Sequence, residues 1–260
     1  MAVYPQLVTG ALSQFPIVKR RRLRTVVNTT PDGRTVKLAD AVAEVDEWQL
    51  EYAALSDAEL GLLEQFFTAM EGSLNSFTFV DPSGNLLAWS EDFTNAVWQA
   101  APMLTVAGQI ADPAGGAAAW SLSNSGSASQ SLTQTLNAPG GYVYCFSAYA
   151  RADQETTLTL QLGSRSVSGV VGGNWSRLVV ARPGDATATS ILCGIGVAGS
   201  GTVEVFGPQV EAQAAPSPYQ TATTGGVYEN ARFRDDTFSF TTTDVNCHSA
   251  TVNISYAKHL

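Results

Sequence analysis

LSDAELGLLEQFFTAMEGS, residues 55–73, runs into SFTFVDP, residues 76–82, and these two stretches decide how the first part of the chain folds. Ser56 and Glu59 stand three apart, the spacing of a capping box, in which hydroxyl and carboxylate satisfy free backbone N–H groups at a helix start. Leu60, Leu63, Phe67 and Met70 follow at helical intervals, and Gly72 can adopt the positive φ that ends a helix. The spacing therefore predicts one amphipathic helix. Around it the period changes to two. Trp48, Leu50 and Tyr52 alternate with Gln49 and Glu51, and near the other end of the chain Ala250, Val252, Ile254 and Tyr256 alternate with Thr251, Asn253 and Ser255. Such runs are strands with one buried face. A lone hairpin is marginal in water, so strands at 48–55, 76–81 and 237–257 are expected to share a sheet against the helix.

Between Asn85 and Gly225 the composition shifts. Residues 86–224 hold four Arg, no Lys and eight Asp plus Glu. Seven strand-sized runs follow one another: TVAGQI, SQSLTQTL, YVYCFSAYAR, TTLTLQLG, WSRLVVARPG, SILCGIGVAG and GTVEVFG, starting at 105, 129, 142, 156, 175, 190 and 201. Glycine, serine and proline punctuate them, as turns require. The expected fold is mainly β: a small β-sandwich domain with one α-helix, 1–85 plus 225–260, interrupted by an inserted jelly-roll β-sandwich, 86–224.

With 260 residues, 45% hydrophobic and 14% charged, the chain is long enough for two cores and too apolar for disorder. A net charge of −9 argues against a general nucleic-acid binder. One basic run stands out: Lys19, Arg20, Arg21, Arg22 and Arg24. Three readings are open for it: a solvated strand edge, a contact with acidic residues of a neighbouring subunit such as Glu44, Asp46 and Glu47, or binding to DNA or anionic lipid. No apolar stretch reaches the roughly 18 residues of a membrane span. The N-terminal charges follow the apolar part, unlike a signal peptide, so the chain is expected to be made and kept in the cytoplasm. Cys145, Cys193 and Cys247 are expected as buried free thiols, with a Cys145–Cys193 bridge left open.

The edges of the inserted block, N85-LLAWSEDFTNAVW-Q99 and G207-PQVEAQAAPSPYQTATT-G225, resemble those of the carbohydrate-binding-module-like jelly rolls that recur in phage tail and tail-fibre proteins. The flanks carry an R-x-R start, the Asp32-Gly33 turn, LE-x-FF before Gly72, F-x-F-x-DP over 77–82 and a closing alternating strand. They resemble the minor tail protein M and distal tail protein group of long-tailed phages. That resemblance implies a virion tail tip, a ring that is usually a hexamer, and contacts with the tail tube and with hub or fibre proteins. The insert would project and would take host surface polysaccharide.

No G-x-S-x-G, H-E-x-x-H, C-x-x-C or phosphate loop occurs, and no enzyme is expected. His248 and His259 are the only histidines, and His248 is read as a strand residue. Glu91 and Asp92 are adjacent, so on a strand they point to opposite faces and cannot flank one glycosidic bond. They are read as solvated or capping groups, with a structural calcium held by Glu91 or Asp92 and Glu211 as the alternative; no other cofactor is expected. Sugar recognition needs aromatic faces beside hydrogen-bonding groups. Trp98 and Trp175 fall where the resemblance to these jelly rolls places packing residues. Tyr149 and Arg151 share one strand face, Gln161 is placed on what should be the next strand, and Trp120 is a further platform. These four form the expected glycan site, the alternative being that subunits cover this face.

Overall fold

A computed structural model describes residues 2–258, so His259 lies outside the described residues. The chain divides into two compact units. One comprises Met1–Val8, Ser13–Phe79 and Tyr228–Leu260, and the other Thr9–Leu12 and Val80–Val227.

In the first unit, helix α1 (Asp57–Ala69) forms where the spacing predicts it. Ser56 Oγ accepts from the Glu59 N–H, and the Glu59 carboxylate accepts from the Ser56 N–H at 3.1 Å. Leu60 and Leu63 are buried, and Gly72 has φ +64° just past the helix end. Six strands make one sheet: β1 (Gln14–Thr29), β2 (Thr35–Leu55), β3 (Phe77–Val80), β14 (Val227–Phe233), β15 (Phe240–Asp244) and β16 (Cys247–Ala257). The order is β1-β2-β16-β14-β3, with β15 also pairing β16. The chain ends meet as the alternation requires, since Trp48 pairs Ile254, Leu50 pairs Val252 and Tyr52 pairs Ala250. The 237–257 segment is a hairpin rather than a single strand, and β14, unread in the sequence, separates β3 from β16. Tyr4, Trp48, Phe66, Phe77, Phe79, Tyr228 and Phe233 fill the core with mainly edge-on ring contacts, centroids 4.7–6.5 Å apart.

Beyond this core β1 and β2 continue as a two-stranded ribbon closed by the Thr30–Arg34 turn, with residues 22–29 and 35–39 all exposed. The basic run lies on this ribbon, and its acidic partners stand on the neighbouring strand of the same chain. Arg21 is 2.8 Å from Asp46 and 3.4 Å from Glu44, Arg22 is 3.8 Å from Glu47, and Arg24 pairs Asp40. Arg20 reaches Gln49 at 3.5 Å, and the Lys19 ammonium sits 5.0 Å from the Trp48 ring centre. Antiparallel register explains this: Arg20, Arg21 and Arg22 face Glu47, Asp46 and Val45 directly. With the arginines more than half exposed, each pair contributes about 0–1 kcal/mol.

The second unit is a jelly-roll sandwich of two five-stranded sheets. Its strands are β4 (Gln99–Ala100), β5 (Leu104–Ile110), β6 (Ala119–Asn124), β7 (Gln130–Leu136), β8 (Val143–Arg151), β9 (Thr156–Leu162), β10 (Arg165–Val171), β11 (Ser176–Pro183), β12 (Ile191–Val197) and β13 (Thr202–Glu211). One sheet runs β10-β9-β12-β7-β4 and the other β11-β8-β13-β6-β5. All seven expected runs are strands. Of the three unread ones, β4 has two residues, while β6 and β10 are short and mixed in polarity. Leu122, Phe146, Leu158, Leu160, Ile195, Val203 and Val205 are fully buried between the sheets.

The edge motifs of this unit bind each other. The Asn85 amide is 3% exposed and uses its full hydrogen-bonding capacity. Its Nδ2 donates to the carbonyls of Pro208 (2.9 Å) and Gln220 (3.2 Å), and its Oδ1 accepts from the N–H groups of Leu87 and Val210, both at 3.1 Å. Leu86 N donates to Val210 O at 2.8 Å, and Asp81 N to Gly226 O at 2.8 Å. These bonds hold Val80–Asn85 and Gly225–Val227 within this unit, outside the residue limits that composition suggests. Ser90 Oγ lies 3.0 Å from Tyr219 Oη and accepts from Ala222 N at 2.9 Å. Gly207, at φ +60°, lets the Tyr219 ring settle where a Cβ would sit 3.0 Å from it. Replacing Asn85 by Leu unpairs backbone groups of three buried residues, Leu87, Pro208 and Val210, each costing about 1–3 kcal/mol before relaxation. Chemical denaturation of Asn85→Leu is expected to show a loss of about 3 kcal/mol or more. Asn85→Asp, which turns a carboxylate toward two carbonyl oxygens, should lose at least as much at neutral pH.

Candidate functional site

The two sheets of the second unit present opposite outer faces. On the β8 sheet, Tyr144, Phe146, Ala148 and Ala150 point inward, leaving Cys145, Ser147, Tyr149 and Arg151 outward. This face is covered by the chain's own segment 212–222. Ser217 N donates to the Glu211 carboxylate (3.1 Å), Gln220 N to Gln209 Oε1 (2.7 Å), and Arg177 to Ser217 O (2.7 Å). Tyr219 packs edge-on against Phe206, centroids 5.1 Å apart. Beneath this cover Cys145 and Ser147 are completely buried. Tyr149 carries the Arg177 guanidinium at 5.1 Å from its ring centre, so that ring is not an open platform. Arg151 lies 4.9 Å from the Trp175 ring centre and pairs with Glu204.

The four residues expected to form a glycan site do not converge. Residues β8 and β9 contribute are in different sheets, because the chain crosses the sandwich between Arg151 and Thr156 instead of making a hairpin. Gln161 therefore belongs to the opposite outer face from Tyr149 and Arg151. Trp120 pairs Val205 at the inner end of β6, stacks on Phe93 at 5.7 Å and donates from Nε1 to Glu91 O at 2.9 Å. It packs against Gly108, whose Cβ, were there one, would lie 2.3 Å from the ring.

The carboxylates suggested for calcium are likewise apart in their bonding. Glu91 accepts from Tyr219 Oη (3.3 Å), Asp92 holds Thr94 (2.6 and 3.0 Å), and Glu211 holds Ser217 and Gln213. Among the described residues no group of three or more His, Cys, Asp or Glu is placed to hold a metal. His248 sits at the start of β16, buried, with Nδ1 3.0 Å from Thr242 Oγ1 and Nε2 2.7 Å from Asp57 Oδ1. Thr242 is its direct cross-strand partner and Asp57 the first residue of α1, so the ring stitches β15, β16 and the helix together.

The outer face of the β12 sheet has another character. Register aligns Gln99, Thr133, Gly194, Gln161 and Ser166 in one row across all five strands. The adjacent row is Ser131, Gly196, Thr159 and Ser168. Seven of these nine residues offer hydroxyls or amides, two are glycines, and none is charged. Two glycines on the central strand leave a shallow trough, walled by Thr133 and Ser131 on one side and Gln161 and Thr159 on the other. Both glycines are themselves buried, so the flanking side chains form the surface that a ligand would meet. Ser166 and Ser168 are exposed, and the internal bonds are Thr159 with Ser168 (2.8 Å), Thr133 to Gln99 O (3.3 Å) and Gln161 to Gly163 O (3.0 Å). Gln161 is the single expected site residue on this face. The signal for the others was the alternation in S-L-T-Q-T, T-L-T-L-Q-L and L-C-G-I-G-V, but only strand order shows that the polar halves coincide.

No protein-family model matches this sequence, and no curated protein matches it significantly. Solved structures align with about half of the chain. A xylan-binding domain of carbohydrate-binding-module family 22 aligns at 18% identity over 53% of this chain and 100% of its own, TM-score 0.42. A family 61 module solved with β-1,4-galactotriose aligns at 18% identity over 49% and 98%, TM-score 0.38. The enzymatically active domain of tailspike protein 4 of bacteriophage CBA120 aligns at 16% identity over 51% of this chain and 22% of its own, TM-score 0.39.

The three cysteines report on this arrangement. All are free. Cys145 faces outward under the 212–222 cover and Cys193 faces the core, so the two cannot bridge. Burial pushes the Cys145 thiol up to about 11, helped by the Glu211 carboxylate, and burial alone raises Cys193 well above the usual range. Both stay protonated at pH 8, and the thiolate is the reactive form. Alkylation of the native chain at pH 8 should mark Cys247 first. Tyr219→Ala, which loosens the cover, should speed labelling of Cys145 and leave Cys193 unreactive; equal labelling of all three in the native chain would contradict the cover.

Proposed function

We propose that the second unit is a carbohydrate-recognition module that binds a neutral stretch of polysaccharide along the β12 sheet face. The observation that carries this reading is the pair of charge-free rows of Gln, Thr, Ser and Gly across five strands. A glycan presents many hydroxyls and no counter-charge. A surface of neutral donors and acceptors meets it without desolvating an ion, a cost that would otherwise oppose binding. With no aromatic ring in these rows, affinity rests on hydrogen bonds exchanged with water and is weak per site. Display in several copies would raise it by orders of magnitude without new contacts.

A second reading concerns how such copies arise. The exposed β1–β2 ribbon is longer than a stable free hairpin needs to be, and Val26, Val36 and Leu38 share one of its faces, 36–51% exposed. Cross-strand pairs contribute only about 0.2–1 kcal/mol each, so a ribbon of this kind gains most by lying on another subunit. This favours self-association of the first unit, as in a ring at a phage tail tip, with the second unit displayed for attachment to host surface polysaccharide.

Gly194 has no positive φ, and an added Cβ would meet Gln161 and Thr133 at 3.4 Å, ordinary contact distance. Gly194→Thr should therefore keep the fold, as read by an unchanged or raised melting temperature, while filling the trough. Screened on a polysaccharide array, the native chain should retain a neutral glycan and the variant should lose at least about tenfold in affinity, the scale of a removed contact set. Native binding that survives Gly194→Thr unchanged would overturn this face as the site. For the ribbon, light scattering of the full chain should give a multimer that dissociates on combined Val26→Ser, Val36→Ser and Leu38→Ser substitution with the melting temperature retained. A native chain that is monomeric at all accessible concentrations would overturn the second reading.

A further inference from the structure

At one end of the second unit a separate cleft of about 140 Å³ opens between the two sheets. Its floor is apolar: Leu162 and Ile191 from one sheet, Tyr144 from the other, and Ala188 from the β11–β12 connection. Tyr144 Oη already donates to Pro139 O at 2.9 Å, so it presents its ring rather than a free hydroxyl proton. The lip is polar. Arg165 lines it, and its guanidinium has no hydrogen bond or ion pair among the described residues. Asp185 lines it as well, one carboxylate oxygen occupied by Thr187 N (2.9 Å) and Thr187 Oγ1 (2.7 Å), the other unbonded.

The cleft is large enough for a small group, since a dry cavity of about 150 Å³ holds benzene. It combines three demands: an apolar contact, a donor with positive charge and a carboxylate acceptor. A plain hydroxyl satisfies at most one of them. A carboxylate ligand would suit Arg165 but be repelled by Asp185, and an ammonium would suit Asp185 but be repelled by Arg165. A neutral group with a methyl, a carbonyl and an N–H meets all three.

We infer that this cleft takes the acetamido group of an N-acetylated sugar, its methyl on Leu162, Ile191 and Ala188, its carbonyl oxygen accepting from Arg165 and its N–H donating to Asp185. The inference rests on the carbohydrate reading of this unit and names the class of sugar. The cleft adjoins the β12 sheet face, since Gln161 Nε2 donates to Gly163 O (3.0 Å) and Gly163 N to Leu192 O (2.8 Å), with Gly163 on the cleft wall. A chain lying in the trough could place a substituent there.

The test uses the full chain and saturation-transfer NMR with N-acetylglucosamine, glucosamine and glucose as probes. The expected result is transfer strongest at the acetyl methyl, with glucosamine and glucose at least about tenfold weaker, the discrimination one apolar group supplies. Ala188→Leu, which fills the floor, should abolish the acetyl signal. Arg165→Gln, on an exposed lip that should leave folding untouched, should weaken it, and Gly194→Thr should leave it intact. Equal transfer to the three sugars, no transfer to N-acetylglucosamine, or an acetyl signal surviving both cleft substitutions would overturn the inference. The two proposals fail separately: array binding lost in Gly194→Thr but indifferent to acetylation sinks only the cleft, whereas an acetyl signal without any trough-dependent binding sinks only the sheet face.

Discussion

One buried amide bears the demands of the whole second unit. Asn85 joins the entering segment, the strand β13 that leaves and the segment that folds back over β13, and it does so with four hydrogen bonds to backbone groups, three of them on buried residues. The same clasp decides which sheet is open. Because Gln220 is fixed to Asn85 and Gln209, residues 212–222 lie on the β8 sheet and cover Cys145 and Ser147, and the β12 sheet is left without this cover. Core packing alone would not make this choice. Both sheets contribute comparable apolar inner faces, and what distinguishes their outer faces is where one return segment is tied.

The elements were largely legible in the sequence because their signals are local. A capping box, a 3.6-residue period and alternation over five to eleven residues each act within a few residues of the chain. Thus α1 and most strands stand where Ser56, Glu59, Leu60 and the Trp48–Tyr52 and Ala250–Tyr256 alternations place them. The insert's edge motifs were legible for the same reason, and their meaning is the clasp: Asn85, Ser90, Gln209, Glu211 and Tyr219 each hold a backbone group or one another across it.

The site was not legible, for a physical reason that concerns strand order. Alternation says that Tyr149 and Gln161 point away from a core, but not that consecutive strands β8 and β9 belong to opposite sheets. The polar rows on the β12 face gather residues from 99 to 196, brought side by side only by pairing. The basic run shows the same limit in reverse. Lys19 to Arg24 looked like a surface in search of acids, while a hairpin register of tens of residues already set Asp40, Glu44, Asp46 and Glu47 beside it. Charge content is local and charge pairing is not.

The hydrogen bonds of Asp81 with Gly226 and of Gly226 with Leu86 place the incoming and outgoing backbone of the second unit side by side, the spacing of an ordinary hairpin neck. Topologically, a whole sandwich then occupies the place of a turn. Loop-closure entropy grows only with the logarithm of loop length, and here the loop closes itself, so its length adds little strain elsewhere. In connectivity such a neck makes the unit a cassette: β3 and β14 lie side by side in the first sheet, and the whole sandwich is threaded between two strands that a turn of a few residues would otherwise join.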